Sequence, residues 1–161
     1  MHRYINPVVS VDMSTKPVAA SLCHCKVCRK LTGAPMMATV LLPTEAVKMT
    51  VTSGAELLTL ATSKHVNRLR CPRCFSPVLA TMGDGKKGNE RVGVPLALFD
   101  AALPKHWLPQ HHLWYEQRVL DVDDTLPKKR QGHFSGLYEP SADSGGRGKE
   151  SDVSGGGGCE G

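Results

Sequence analysis

Long hydrophobic runs are missing from this chain. None approaches the roughly 20 residues a helix needs to cross a bilayer, so no membrane-spanning role is expected. The first residues, Met1-His2-Arg3-Tyr4-Ile5-Asn6-Pro7, lack the apolar stretch of a secretory leader. The expected compartment is the cytoplasm, whose reducing conditions favour cysteines as metal ligands or reactive groups over disulfides. A strong charge of one sign is missing too. The formal balance is +5, with a basic cluster at Lys128-Lys129-Arg130 that reads as solvated surface, and nucleic acid is not an expected partner. Helical periodicity is scarce and no internal repeat is present, which speaks against helical bundles and solenoids.

Against those absences stand three cysteines packed into six residues, Cys23-His24-Cys25-Lys26-Val27-Cys28. Side chains at i and i+2 of a strand share a face, so Cys23 and Cys25 point the same way. A tight turn can then fold Cys28 back toward them. Three converging thiols make a soft, tetrahedral-leaning donor set that suits zinc. Four protein ligands mark a structural zinc, and an open fourth position marks a catalytic one. A second pair, Cys71-Pro72-Arg73-Cys74, has zinc-knuckle spacing, which redox motifs and disulfides share. For both groups metal is the favoured reading. Cys159, in a terminal glycine run, reads as a solvated thiol without a role.

One domain of 161 residues can bury one core. Short strands are expected at residues 7–13, 18–25, 37–42, 47–52, 56–62, 65–70, 78–82, 91–95 and 111–117, cut by turns at Ser53-Gly54, at Gly83–Asn89 and at prolines. Single helical turns are expected at 26–31 and 98–103. The expected fold class is therefore mainly β, with few short helices. Trp107, Trp114 and Phe99 read as core. His24 should point away from its cysteine neighbours, and His111 and His112 read as strand-edge residues. The domain is expected to cover residues 1–135, followed at 136–161 by a Gly/Ser-rich tail too polar to order itself.

The box Cys23-His24-Cys25-Lys26-Val27-Cys28-Arg29-Lys30, with Thr32-Gly33-Ala34-Pro35, Thr52-Ser53-Gly54 and Arg68-Leu69-Arg70-Cys71-Pro72-Arg73-Cys74-Phe75-Ser76-Pro77, resembles the glutathione-dependent formaldehyde-activating enzymes, a family that includes centromere protein V. His112-Leu113-Trp114 and Leu120–Pro127 fit its closing segment, and the resemblance covers about residues 5–133. It implies a folded β-sheet architecture similar to the Mss4 proteins, and two zinc sites. Cys23, Cys25 and Cys28 would hold the catalytic ion, while Cys71 and Cys74 would supply half of a structural site. The other half, a C-x-C-G box on the first strand, has no counterpart at Arg3–Val8, and Phe75 stands where the family places glycine. Other donors, with His2 and His65 as candidates, complete that site, or it is empty, or the chain starts beyond the missing pair; the expectation is one catalytic-type zinc and a degraded structural site.

Zinc with three thiolates carries a formal charge of −1, which Lys26, Arg29 and Lys30 could offset unless they are simply solvated. The resemblance implies a carbon–sulfur lyase activity on a thiol–aldehyde adduct such as S-hydroxymethylglutathione, with glutathione as the small-molecule thiol partner. The competing reading is a non-catalytic, zinc-stabilised binding module of the centromere protein V kind.

Overall fold

The computed structural model describes residues 8–50, 56–84 and 88–140. His2, Cys159 and the tail from 141 onward lie outside the described residues. The chain is mainly β, as its short alternating runs imply. Two antiparallel strands, β1 (Val8–Val11) and β4 (Val47–Thr50), form a small ribbon. The other seven build one sheet: β2 (Ala19–Cys23), β3 (Met37–Pro43), β5 (Leu58–Ser63), β6 (Val66–Arg70), β7 (Pro77–Met82), β8 (Arg91–Pro95) and β9 (His111–Leu113). Their order across the sheet is β5-β6-β7-β8-β3-β2-β9, antiparallel except for β9, which runs parallel to β2 at one edge. Each expected strand is present.

Alternation explains the core. Val40 and Leu42 of β3 share a face and are fully buried; Val40 pairs with Ala20 and Val94, and Leu42 with Val92. With Val78 and Trp107 they form one apolar cluster, against which Val9 and Val11 of the ribbon pack. The Trp107 indole N–H is satisfied by the Thr15 carbonyl at 3.2 Å, and Phe99 meets the ring edge-on. Phe99 and Trp114 are only half-buried, so of the three expected core aromatics Trp107 alone is fully enclosed. On the opposite face Gly93 lies under the end of the Met82 side chain, which a Cβ there would displace, at 2.7 Å.

The helical expectations divide. Helix α1 forms at Lys26–Thr32, one residue longer than expected. Cys25 caps it by accepting the Cys28 N–H, and Gly33 closes it in the left-handed conformation with its N–H on the Arg29 carbonyl. The turn expected at 98–103 is instead two separate 3₁₀ turns, Leu96–Leu98 and Lys105–Trp107. Each follows a proline, Pro95 or Pro104, whose fixed φ starts the turn. The last strand also stops early. Trp114 takes a left-handed conformation at φ 56 and opens a 3₁₀ turn at Tyr115–Gln117.

Beyond β9 the chain wraps back along its own edge. Lys129 N–H bonds the His112 carbonyl, and Tyr138 N–H bonds the Lys128 carbonyl. The basic cluster is not a free solvated patch: Lys128 pairs with Asp124, and Arg130 with Glu116. Residues 136–138 are thus hydrogen-bonded to the domain. Among the described residues no helix is long and apolar enough to cross a membrane.

Candidate metal centre

The three clustered cysteines reach one point from three different structural positions. Cys23 is the last residue of β2, hydrogen-bonded between β3 and β9. Cys25 keeps extended dihedrals (φ −61, ψ 149) as the N-cap of α1, so the i, i+2 alternation survives past the strand's end. Cys28 returns through the first turn of α1, the helical turn expected at 26–31. Their sulfurs all lie within 4.8 Å of one another, and among the described residues this is the one group of three or more Cys, His, Asp or Glu side chains that converges so.

The electrostatics of the cluster favour one thiolate, at Cys25. Its pKa is lowered by hydrogen bonds from the Cys23 and Cys28 thiols, then by the Cys28 backbone N–H and the charge of Arg68, against the opposing effect of burial. Cys23 is raised, chiefly by donating to Cys25 and Cys28. At Cys28 a bond from Cys23 lowers the pKa, but donation to Cys25 and burial prevail and raise it. One negative charge shared by three sulfurs is the arrangement a soft dication converts into three thiolates. The donor set fits such a metal ion.

Support comes from every side. The peptide between the ligands is pinned by His24 N–H on the Leu113 carbonyl at 2.9 Å and by Arg29 Nε on the His24 carbonyl at 3.1 Å. Gln117 Oε1 accepts the Lys26 N–H at the start of the helix. Of the three flanking cations, Lys26 and Lys30 are exposed, and Arg29 serves the backbone. The cation that meets the cluster is Arg68 on β6, whose Nη2 lies 3.5 Å from Cys28 Sγ. Period-2 alternation places Arg68 and Arg70 on one face of that strand, a signal available in the sequence. Arg70 donates to the Leu31 carbonyl at the end of α1 and to the Phe75 carbonyl at 2.6 Å. Leu31, Thr32, Met37, Gly93 and both arginines line a narrow cleft beside the helix. Neither this cleft nor a larger depression at the end of the β1–β4 ribbon is lined by a cysteine.

His24 points away from the sulfurs into a buried chain that sequence reasoning did not find. Its Nε2 lies 2.8 Å from His112 Nδ1, and His112 Nε2 lies 2.9 and 3.1 Å from the Asp124 carboxylate. Burial raises the Asp124 carboxyl, but hydrogen bonds from His112 and Lys128 outweigh it and hold it below its usual range. An ionised carboxylate only accepts, so His112 presents an N–H to it from Nε2. His24 Nε2 and His112 Nδ1 share one hydrogen, and His24 Nδ1 is buried with no partner. Burial first, then the neighbouring His112, lowers the His24 pKa to about 4, so the ring is neutral. Tyr115 covers both imidazoles edge-on. His112 stands on the edge strand, as its sequence position suggested, yet is fully buried.

Residues 7–117 match the family model described as glutathione-dependent formaldehyde-activating enzyme. The chain belongs to that family. A comparison with curated proteins found no match. In this family member the second cysteine pair is arranged differently from the triplet. Cys71 is buried in the core cluster, while Cys74 is exposed and donates to Ser76 Oγ at 3.4 Å. The turn between β6 and β7 is closed by Phe75 N–H on the Cys71 carbonyl and Cys71 N–H on the Ser76 carbonyl. Phe75 takes φ 58, the left-handed conformation that glycine adopts without strain. His65, a candidate to complete this site, lies at the opposite end of β6, roughly 20 Å along the strand, and its Nδ1 faces the Gly83 carbonyl. It is not a ligand partner for Cys71 and Cys74. Arg3–Asn6 and His2, the other expected neighbours, lie outside the described residues.

Proposed function

We propose that the protein is a zinc-dependent carbon–sulfur lyase acting on a thiol–aldehyde adduct of the S-hydroxymethylglutathione kind. The observation that carries this reading is the convergence of Cys23, Cys25 and Cys28, three sulfurs and no fourth protein donor among the described residues, inside the region that matches the family. Three protein ligands are the mark of a catalytic rather than a closed structural site. Bound there, zinc supplies Lewis acidity that makes a thiolate available near neutral pH.

The reaction balances without a redox partner. The thiol sulfur bonds to the carbonyl carbon of formaldehyde, the carbonyl π pair moves to oxygen, and the proton given up by the thiol ends on that oxygen. The lyase direction breaks the same C–S bond. The chain's own residues hold the site in place for this exchange. α1 fixes Cys25 and Cys28 one helical turn apart, β9 and Arg29 hold the intervening peptide, and Arg68 stands beside Cys28. Glutathione is the thiol the family membership favours, and a reducing compartment such as the cytoplasm keeps the ligands as thiols. Cys71 and Cys74 we assign to a degraded structural metal position, Cys71 standing in the core and Cys74 in solvent. The domain expected over residues 1–135 extends in this reading through the hydrogen-bonded residues 136–138.

The test is adduct cleavage by zinc-loaded protein, measured against the spontaneous solution rate. Acceleration of at least about 100-fold, on the scale of general catalytic effects, supports the lyase. Zinc and glutathione binding without acceleration would place the protein among non-catalytic binding modules.

A further inference from the structure

Arg68 and Arg70 share a face of β6 but have different tasks. Arg70 is committed to backbone carbonyls at the end of α1 and in the β6–β7 turn. Arg68 is held by Nε on Thr62 Oγ1 at 3.2 Å, with Nη2 directed at the cluster, 3.5 Å from Cys28 Sγ. Neither arginine forms an ion pair with a carboxylate among the described residues. A half-buried guanidinium without a carboxylate needs another anion, and the sulfur cluster is the one within reach.

The charge count says which anion. Three cysteine thiolates on a dication leave −1, and a fourth sulfur ligand makes −2. A neutral fourth ligand leaves the total at −1. The fixed cation beside Cys28 therefore favours the state with the extra charge. We propose that Arg68 is the charge-compensating residue of the centre, selecting an anionic sulfur ligand over a neutral one. This inference rests on the thiol-adduct reading above and names what sets the preference of that site.

The experiment uses cobalt(II) in place of zinc, so that ligand binding is read from the absorption spectrum and not from turnover. Wild type, Arg68→Gln and Arg68→Lys are titrated at one fixed pH with glutathione, with 2-mercaptoethanol and with neutral imidazole. Arg68→Gln should bind cobalt with unchanged stoichiometry yet bind both thiols about 10- to 100-fold more weakly, the scale for groups that support metal ligands. Imidazole affinity should not fall, and Arg68→Lys should recover most of the thiol affinity. Equal thiol affinity in wild type and Arg68→Gln would overturn the proposal. So would weakening confined to glutathione, which would make Arg68 a reader of its carboxylates, or a failure of lysine to rescue. A wild-type protein that binds imidazole but neither thiol would instead overturn the thiol-adduct reading. Arg68→Met substitutes for Arg68→Gln if the latter does not fold.

Discussion

The chain contains the spacing C-x-x-C twice, and the two copies fold into different objects. Cys25-Lys26-Val27-Cys28 spans a helix start: the first sulfur accepts the N–H of the second residue, and Cys23 arrives from the preceding strand. Cys71-Pro72-Arg73-Cys74 spans a turn, with one cysteine in the core and the other in solvent. Spacing sets how far apart two thiols can be. The element that carries them decides whether a third donor joins.

The largest effect expected from this comparison is on metal retention. Cys25→Ser should lower metal affinity by at least about 100-fold, because a neutral hydroxyl is a poor ligand for a soft metal ion and Cys25 is the sulfur most readily ionised. Cys74→Ser should leave the metal at the triplet in place, as measured by competition with a chromophoric chelator. Equal losses in the two variants would erase the distinction between the two copies.

A smaller effect is expected behind the triplet. His112→Ala empties the middle of the His24–His112–Asp124 chain and leaves the buried His24 Nε2 unpaired, while Asp124 keeps Lys128, which should cost about 2–4 kcal/mol in denaturant unfolding. The same chain predicts a pH dependence for the metal-free protein. The His24 pKa is depressed in the fold, so its contribution is present above the unfolded value near 6.5. It is lost as pH falls through that value toward about 4. Stability should decline across that window, and His24→Gln should flatten the decline. A slope unchanged in His24→Gln would show that other groups carry it.

The smallest effect belongs to the second copy. Phe75 is exposed and left-handed, a conformation that costs a side-chain-bearing residue about 1–2 kcal/mol, while glycine gives back part of that gain in unfolded-state entropy. Phe75→Gly should raise stability by up to about 1 kcal/mol, seen as a small rise in the melting temperature. A lower melting temperature would mean that the ring contributes packing its exposure does not suggest.

The strands were legible because each is a short apolar run ended by proline, glycine or a polar turn, and the helix because Cys25 and Gly33 punctuate it. Trp114 shows where legibility ended: nothing local signals a left-handed tryptophan, and the strand was read four residues too long. Pro95 and Pro104 each start a 3₁₀ turn, which a search for one continuous helical segment merges. At the site, the three sulfurs followed from alternation and spacing. Arg68 and His112 did not, since their roles rest on contacts 40 and 88 residues away in sequence. Only the sheet order, with β9 parallel beside β2, brings those partners together.

That parallel edge also sets an order of events during synthesis. The cysteine box leaves the ribosome 88 residues ahead of His112, roughly 4–18 s earlier at ordinary elongation rates. Throughout that interval Cys23, Cys25 and Cys28 are close enough in sequence for a metal ion to gather them at almost no loop-closure cost. The histidine chain that braces them cannot yet exist. Metal capture is thus a local event available to the nascent chain, and the closing of the sheet edge is a later, long-range one.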